Sequence, residues 1–179
     1  MKFLVIGLGS MGKRRIRCLK ALKHEDIVGF DLKEERRKEA ETKYKVNTTN
    51  KLTSNILNEI DAIIISTPPD KHAGYIKIAV DNRKPVFIEA SVISKGLEEL
   101  NNSAKKNNVL VVPSCTMKFH PAIKEITDIV VIKKYGKVTN FSYHSGQYLP
   151  DWHPWENIKN YYVSKKETGG AREIVPFEL

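Results

Sequence analysis

The segment from Lys2 to Gly12 constrains the chain more than any other. An apolar run, Phe3-Leu4-Val5-Ile6, ends at Gly7-Leu8-Gly9-Ser10-Met11-Gly12, and Ile16, Leu19 and Leu22 then recur at roughly helical spacing. In a glycine loop between strand and helix, Gly7 permits the tight turn, Gly9 lets a pyrophosphate approach the backbone, and Gly12 lets the helix pack on the strand. The helix start at Ser10 and Met11 offers free N–H groups and partial positive charge. Nineteen residues beyond Gly12, Asp31 closes the next short strand, Ile27 to Phe30. An acid there accepts hydrogen bonds from the two hydroxyls of an adenosine ribose and repels a 2′-phosphate, so the pattern predicts a site for NAD in preference to NADP. Lys33, Arg36 and Arg37 lie nearby and oppose that preference.

Strand and helix patterns keep alternating. Glu34 to Lys43 is a charged run of strong helix formers. Ala62-Ile63-Ile64-Ile65 is apolar at every position, which suits a parallel strand buried on both faces. Pro68 and Pro69 stop it, and a helix from Lys71 to about Asn82 leads to the strand Pro85 to Ile88, followed by Glu89. Leu97 to Lys106 is helical, and Val109 to Val112 reads as another buried strand, stopped by Pro113. Five strands with helical connections predict an α/β fold, a Rossmann-type doubly wound parallel sheet.

Beyond Pro113 the pattern changes. Pro121 to Lys134 reads as one helix, Gly136 to Tyr148 alternates like a strand, and Gly169-Gly170 opens a helix running to Leu179. The expected division is a dinucleotide-binding domain over residues 1–118 and the beginning of a second, truncated α/β domain over 119–179. A lone strand and an unfinished helix cannot make a stable sheet, so the chain is expected to be a fragment or to be completed from elsewhere. Such a fragment is expected to bind cofactor at best, to lack turnover, and to self-associate through its unpaired strand and exposed apolar residues.

Thirty Lys plus Arg against 21 Asp plus Glu give a formal charge of +9. The basic residues are spread over the whole chain among acids and asparagines, without interleaved aromatics, which argues against nucleic acid. The densest cluster, Lys13-Arg14-Arg15-Ile16-Arg17, follows the glycine loop and suits a phosphate-bearing small molecule, although a solvated helix face is the simpler reading of Arg15 and Arg17. No run approaches the roughly 18–20 apolar residues of a membrane span, and the N-terminal apolar stretch is too short for a signal peptide, so a cytoplasmic protein is expected. Cys18 and Cys115 lack a CxxC or CxxH neighbour, which predicts free thiols and no metal site.

Gly7 to Gly12, Asp31, the segment Ser66-Thr67-Pro68-Pro69-Asp70-Lys71-His72, the strand ending Ile88-Glu89, and Phe119-His120-Pro121-Ala122 occur in the order found in the glucose-fructose oxidoreductase, inositol dehydrogenase and MocA family. The chain resembles a member over its whole length. The resemblance implies a nicotinamide-binding N-terminal domain and a C-terminal α/β domain whose open sheet roofs the site and often forms an oligomer interface. It places Ser66, Thr67, Pro68 and His72 along the cofactor, and Glu89 by the nicotinamide ribose. Where the family has lysine and proline after that glutamate, this chain has Ala90 and Ser91. The family's second catalytic element, a helix with an Asp and a His, corresponds to Gly169 through Leu179, where the histidine register falls near Glu178 and Glu173 is the other acid.

Three assignments of the acid/base stand open. Glu178 or Glu173 serves if burial raises its pKa; Lys118, Tyr143, His144 or His153 supplies the proton; or the chain binds a nucleotide without catalysis, as a regulatory module. The segment Tyr148-Leu149-Pro150-Asp151-Trp152-His153-Pro154-Trp155 suits either a sugar ring or a long packed loop. From there to Tyr161-Tyr162 and Gly169-Gly170 the text resembles a family branch found with surface-polysaccharide and nonulosonic-sugar pathways. The expected function is an NAD-dependent oxidoreductase acting on a sugar or sugar nucleotide, as a homo-oligomer.

Overall fold

The computed structural model describes residues 1–174 other than Ser145, Gln147, His153, Trp155 and Glu156. The strands are β1 (Phe3–Ile6), β2 (Ile27–Phe30), β3 (Asn47–Thr49), β4 (Ala62–Ile65), β5 (Val86–Ile88) and β6 (Val111–Pro113). All pair in parallel, in the order β3-β2-β1-β4-β5-β6. The α-helices are α1 (Ser10–Ala21), α2 (Glu34–Tyr44), α3 (Ser54–Glu59), α4 (His72–Asp81), α5 (Leu97–Lys106), α6 (Pro121–Val131) and the single turn α7 (Leu149–Trp152). The order reverses direction between β1 and β4, the switch point at which open α/β sheets bind ligands beyond the carboxyl ends of their strands.

The chain forms two compact units, Met1–Glu89 with Ile93–Ser114, and Ala90–Val92 with Cys115–Leu179. The first holds the sheet. Leu4, Ile6, Ile63 and Ile65 turn to one layer with Ile76, Ala79 and Val80 of α4, and Val5 and Ile64 turn to the other with Ile16 and Leu19 of α1. Both layers are needed because β1 and β4 are apolar at successive positions, and each side chain so buried stabilises the fold by about 1.5–3 kcal/mol.

The sheet has one strand more than the five expected. Asn47-Thr48-Thr49 was not expected as a strand, because three polar residues carry no apolar pattern; it pairs with β2 at the sheet edge, where polar residues are tolerated. The six-residue α3 also escapes periodicity, although Thr53 caps it by accepting from the N–H of Ile56 at 3.4 Å. The expected buried strand Val109 to Val112 is instead the edge strand Val111–Pro113, with Leu110 65% exposed. Pro113 fits there because an edge strand does not need every N–H.

In the second unit, α6 begins at Pro121 as expected and ends at Val131, three residues early. Of the strand expected from Gly136 to Tyr148, the described residues from Lys137 to His144 form none and have no regular structure. Alternation alone does not make a strand, since its N–H and C=O groups need a neighbouring strand to bond. In place of the helix expected from Gly169, the described residues form a 3-10 turn, Gly170–Ile174, whose first residue and the preceding Gly169 have positive φ, +63° and +99°. Residues 175–179 lie outside the described residues. Among the described residues, no helix is long and apolar enough to cross a membrane.

Candidate dinucleotide site

Strand register builds the site. Ile6 lies opposite Phe30 and Ile65, Ile65 opposite Ile88, and Ile88 opposite Pro113. The residues that follow, Asp31, Gly7, Ser66, Glu89 and Ser114, therefore share one row along the carboxyl edge of the sheet. Backbone bonds carry the ladder into that row: Gly7 N–H donates to Phe30, Ser66 to Ile6, Glu89 to Ile65 and Ser114 to Ile88, at 2.7–3.0 Å.

The three loop glycines do different work. Gly7 has φ +91°, and a Cβ there would lie 2.6 Å from the Ser66 carbonyl oxygen. A Cβ on Gly12 would lie 1.7 Å from the Gly7 carbonyl oxygen. Both are glycine because the protein's own backbone fills the space. A Cβ on Gly9 would meet only the Arg36 guanidinium, at 3.7 Å, among the described residues. The fold does not require glycine at that position, and the opening lies at the N-terminus of the twelve-residue α1, whose cap, Gly9, provides no side-chain hydrogen bond and whose first turn has no acid. A pyrophosphate fits this opening and the charge of the helix end.

Asp31 is buried, and its two carboxylate oxygens accept from Leu8 N–H at 2.8 Å and Lys33 N–H at 2.9 Å. The first of these bonds fastens the glycine loop to β2. A carboxylate has about four acceptor sites, so lone pairs remain for ribose hydroxyls. Arg36 Nη1 stands 3.6 Å from Asp31 Oδ2, while Arg37 Nη1 donates to the carbonyls of Asp31 and Leu32.

At the other end, Arg15 makes a bidentate pair with Glu89, Nε to Oε1 at 2.6 Å and Nη2 to Oε2 at 2.9 Å. Its guanidinium lies 4.8 Å from the Phe87 ring centroid, and Ser66 Oγ reaches Glu89 Oε1 at 3.4 Å. The Glu89 bond raises the Arg15 pKa further and keeps the side chain charged. Arg15 is therefore not the solvated residue expected: its side chain is 18% exposed and Glu89's is 6%. The signal was present in helix register, since Arg15 lies three residues after the packed Gly12 and four before the buried Leu19.

His72 is buried at the start of α4 and its Nε2 bonds the Thr67 carbonyl at 2.9 Å, so that nitrogen carries the proton. Thr67 Oγ1 is buried beside it without a hydrogen-bond partner among the described residues. Burial lowers the His72 pKa below the ordinary 6.5, against smaller upward effects of the Thr67 bond and the Glu89 and Asp70 charges. The unfolded chain then takes up a proton near pH 6.5 that the folded chain refuses, so this contribution to stability is full above pH 6.5 and is lost as pH falls toward the folded pKa. NMR of the imidazole Hε1 will show a midpoint below 6.5, whereas a midpoint at or above it would contradict the buried neutral ring.

A model of an oxidoreductase family with an NAD-binding Rossmann fold, named for glucose-fructose oxidoreductase, inositol dehydrogenase and MocA, matches residues 1–114. The chain belongs to this family. The family's fold binds NAD, and the open loop at Gly9 and the buried acid Asp31 fit that cofactor. The chain is 28% identical over 132 residues to the uncharacterized oxidoreductase YrbE of Bacillus subtilis (strain 168), a match covering 70% of this chain and 38% of that one. Among solved structures, it resembles apo scyllo-inositol dehydrogenase of Lactobacillus casei, with a TM-score of 0.67 and 20% identity over 78% of this chain and 43% of that one. It also resembles the WlbA dehydrogenase of Chromobacterium violaceum, in complex with NADH and UDP-GlcNAcA, with a TM-score of 0.67 and 15% identity over 76% of this chain and 41% of that one. At such identities the likeness is one of fold. The chain spans less than half the length of these relatives.

Where most members of the glucose-fructose oxidoreductase, inositol dehydrogenase and MocA family are expected to carry a lysine, Ala90 is buried in the second unit. Beside it in sequence, Ser91 Oγ and Val92 N–H donate to Glu173 Oε1 at 3.1 and 3.0 Å. Glu173 is fully buried, and its Oε2 has no hydrogen-bond partner among the described residues. Burial pushes its carboxyl above the usual range, offset in part by the Val92 and Ser91 bonds. Of the other proton donors considered, Lys118 and Tyr143 are exposed, and His144 is exposed with Nε2 3.1 Å from Ser142 Oγ. Glu178 and His153 lie outside the described residues.

Proposed function

We propose that this chain carries the cofactor-binding unit of an NAD-dependent oxidoreductase that moves hydride between nicotinamide C4 and a carbinol of a sugar or sugar nucleotide, in surface-polysaccharide biosynthesis. The observation that carries the reading is the row Asp31, Gly7, Ser66, Glu89 and Ser114 at the switch point of the sheet. Gly9 and the N–H groups of Ser10, Met11 and Gly12 hold the pyrophosphate, with Gly7 shaping the turn. Asp31 takes the adenosine ribose, and Ser66, Thr67, Pro68, His72 and Glu89 line the nicotinamide half. NAD supplies the hydride acceptor when bound, and the protein aligns it and excludes water.

Glu173, with its raised pKa and its bonds to Ser91 and Val92, is the proposed proton-holding group, with Glu178 the second candidate carboxylate. The reading places a dinucleotide-binding domain at residues 1–118 and the start of a substrate domain at 119–179, in a cytoplasmic homo-oligomer whose partner is a small sugar rather than nucleic acid or membrane. Ala90 favours a second reading, a nucleotide-binding module without catalysis, because an alanine carries no proton.

Calorimetry with NAD tests the first step. The chain is expected to bind NAD, and Asp31→Asn to weaken binding about tenfold or more, the worth of a charge-assisted hydrogen bond. Absence of NAD binding would overturn the proposal. Assayed with a complete substrate domain, reduction of NAD by a panel of sugar nucleotides, abolished in Glu173→Gln with NAD affinity retained, separates the catalytic reading from the module.

A further inference from the structure

We propose that Arg15 sets the redox preference of the site: by neutralising Glu89, it keeps the β5 end from favouring oxidised over reduced NAD as strongly as a bare carboxylate would. This rests on the dinucleotide reading of the same row. In a sheet of this order, β1 to β3 form one mononucleotide-binding half and β4 to β6 the other. Asp31 follows β2 and Glu89 follows β5, so Glu89 stands in the half left for the nicotinamide nucleotide once the adenosine is held at Asp31. The two forms of that nucleotide differ by one charge, since the oxidised ring is cationic and the reduced ring neutral. A net charge in that half therefore acts strongly on one form and weakly on the other.

The two acids of the row are held in different ways. Asp31 is fixed by two backbone N–H groups, and the Arg36 guanidinium stands 3.6 Å from it, beyond a hydrogen bond. Glu89 is held instead by a guanidinium on both oxygens, with Arg15 Nη2 also 3.5 Å from Ser114 Oγ and the group stacked on Phe87. Arg15, Phe87, Glu89 and Ser114 all belong to the first compact unit. Backbone donors suffice to fix a buried carboxylate, as Asp31 shows, so the full counter-charge at Glu89 does more than hold it in place. The pair as built is neutral. Without Arg15 it becomes a net negative charge and without Glu89 a net positive one, whichever partner lies nearer the ring. Arg15 thus acts through Glu89, as a positioning residue, and its effect has a sign that a purely structural pair would lack.

The test is calorimetry of the chain with oxidised NAD, reduced NAD and ADP at fixed salt. It compares wild type, Arg15→Met, Arg15→Lys, Glu89→Gln and the double variant Arg15→Met, Glu89→Leu, each checked for folding by circular dichroism. Glu89→Gln is expected to shift the affinity ratio about threefold or more toward reduced NAD, because the remaining guanidinium keeps its proton. Arg15→Met is expected to shift it about threefold or more toward oxidised NAD. The double variant and Arg15→Lys stay within about twofold of wild type, and ADP affinity is unchanged throughout. The two single variants then differ about tenfold in ratio, which sets the potentials of their bound NAD couples about 30 mV apart. If NAD binds and the single variants differ by less than about threefold in ratio, or in the reverse order, Arg15 is structural only and the proposal fails while the site stands. Where a single variant does not fold, the double variant, which strands no charge, takes its place, and a ratio within about twofold of the remaining single variant overturns the proposal. If folded wild type binds neither form of NAD nor ADP, the dinucleotide reading fails with it.

Discussion

Gly12→Ala will lower the stability of the sheet unit by about 2–4 kcal/mol and abolish NAD binding, because overpacking against backbone is relieved only by moving the loop. The added methyl would stand 1.7 Å from the Gly7 carbonyl oxygen, and no side-chain rotamer can clear it. Gly9→Val gives the opposite pair of results. Its Cβ enters open space, so thermal unfolding should change little, while NAD affinity falls at least tenfold because the side chain occupies the pyrophosphate position. Unfolding curves and calorimetry on both variants make the comparison. Gly12→Ala at wild-type stability would refute the packing of α1 on the loop, and Gly9→Val at full affinity would reduce the loop to a plain turn.

The second large effect is expected at the Arg15–Glu89 pair. Removing either partner leaves a charge in a largely desolvated place, which costs about 3–5 kcal/mol, whereas exposed pairs such as Lys38–Glu34 contribute about 0–1 kcal/mol. Arg15→Ala is expected to be the more damaging change, since it strands the more deeply buried carboxylate and removes the stacking on Phe87. The double variant Arg15→Met, Glu89→Leu should be far less destabilised than the sum of the single changes, because no unpaired charge remains. Additive losses in urea unfolding would show that the two groups are not coupled, contrary to their bidentate geometry.

The contrast between Gly12 and Arg15 shows why sequence reading succeeds at some positions and fails at others. The glycines, β1, β4 and Asp31 announce themselves through requirements local in the chain: a positive φ, an unbroken apolar run, an acid at a fixed distance. Ser114 has no such signature. It joins the row only through the pairing of β5 with β6, and register between strands far apart in sequence is not written in either one. Arg15 was misread because a basic run looks solvated when counted by composition, and only its helical phase relative to Gly12 and Leu19 places it toward the sheet. In the second unit, the alternation from Gly136 to Tyr148 describes what a strand would look like without supplying the partner that would make it one.

The row at the carboxyl edge also acts as a ruler. Asp31 and Glu89 stand three strand spacings apart, about 14 Å at 4.8 Å per spacing. In the proposed dinucleotide site, one end addresses the adenosine and the other the reacting half of the ligand. Substitutions at the two ends should then combine independently, within about 0.5 kcal/mol, as sites beyond 7–10 Å without shared partners do. In the proposed dinucleotide site the hold on the adenosine and the reacting end are thereby separable: an exchange at Asp31 would alter the first without disturbing the clamp between Arg15 and Glu89, and a change in the clamp would leave the adenosine end as it is.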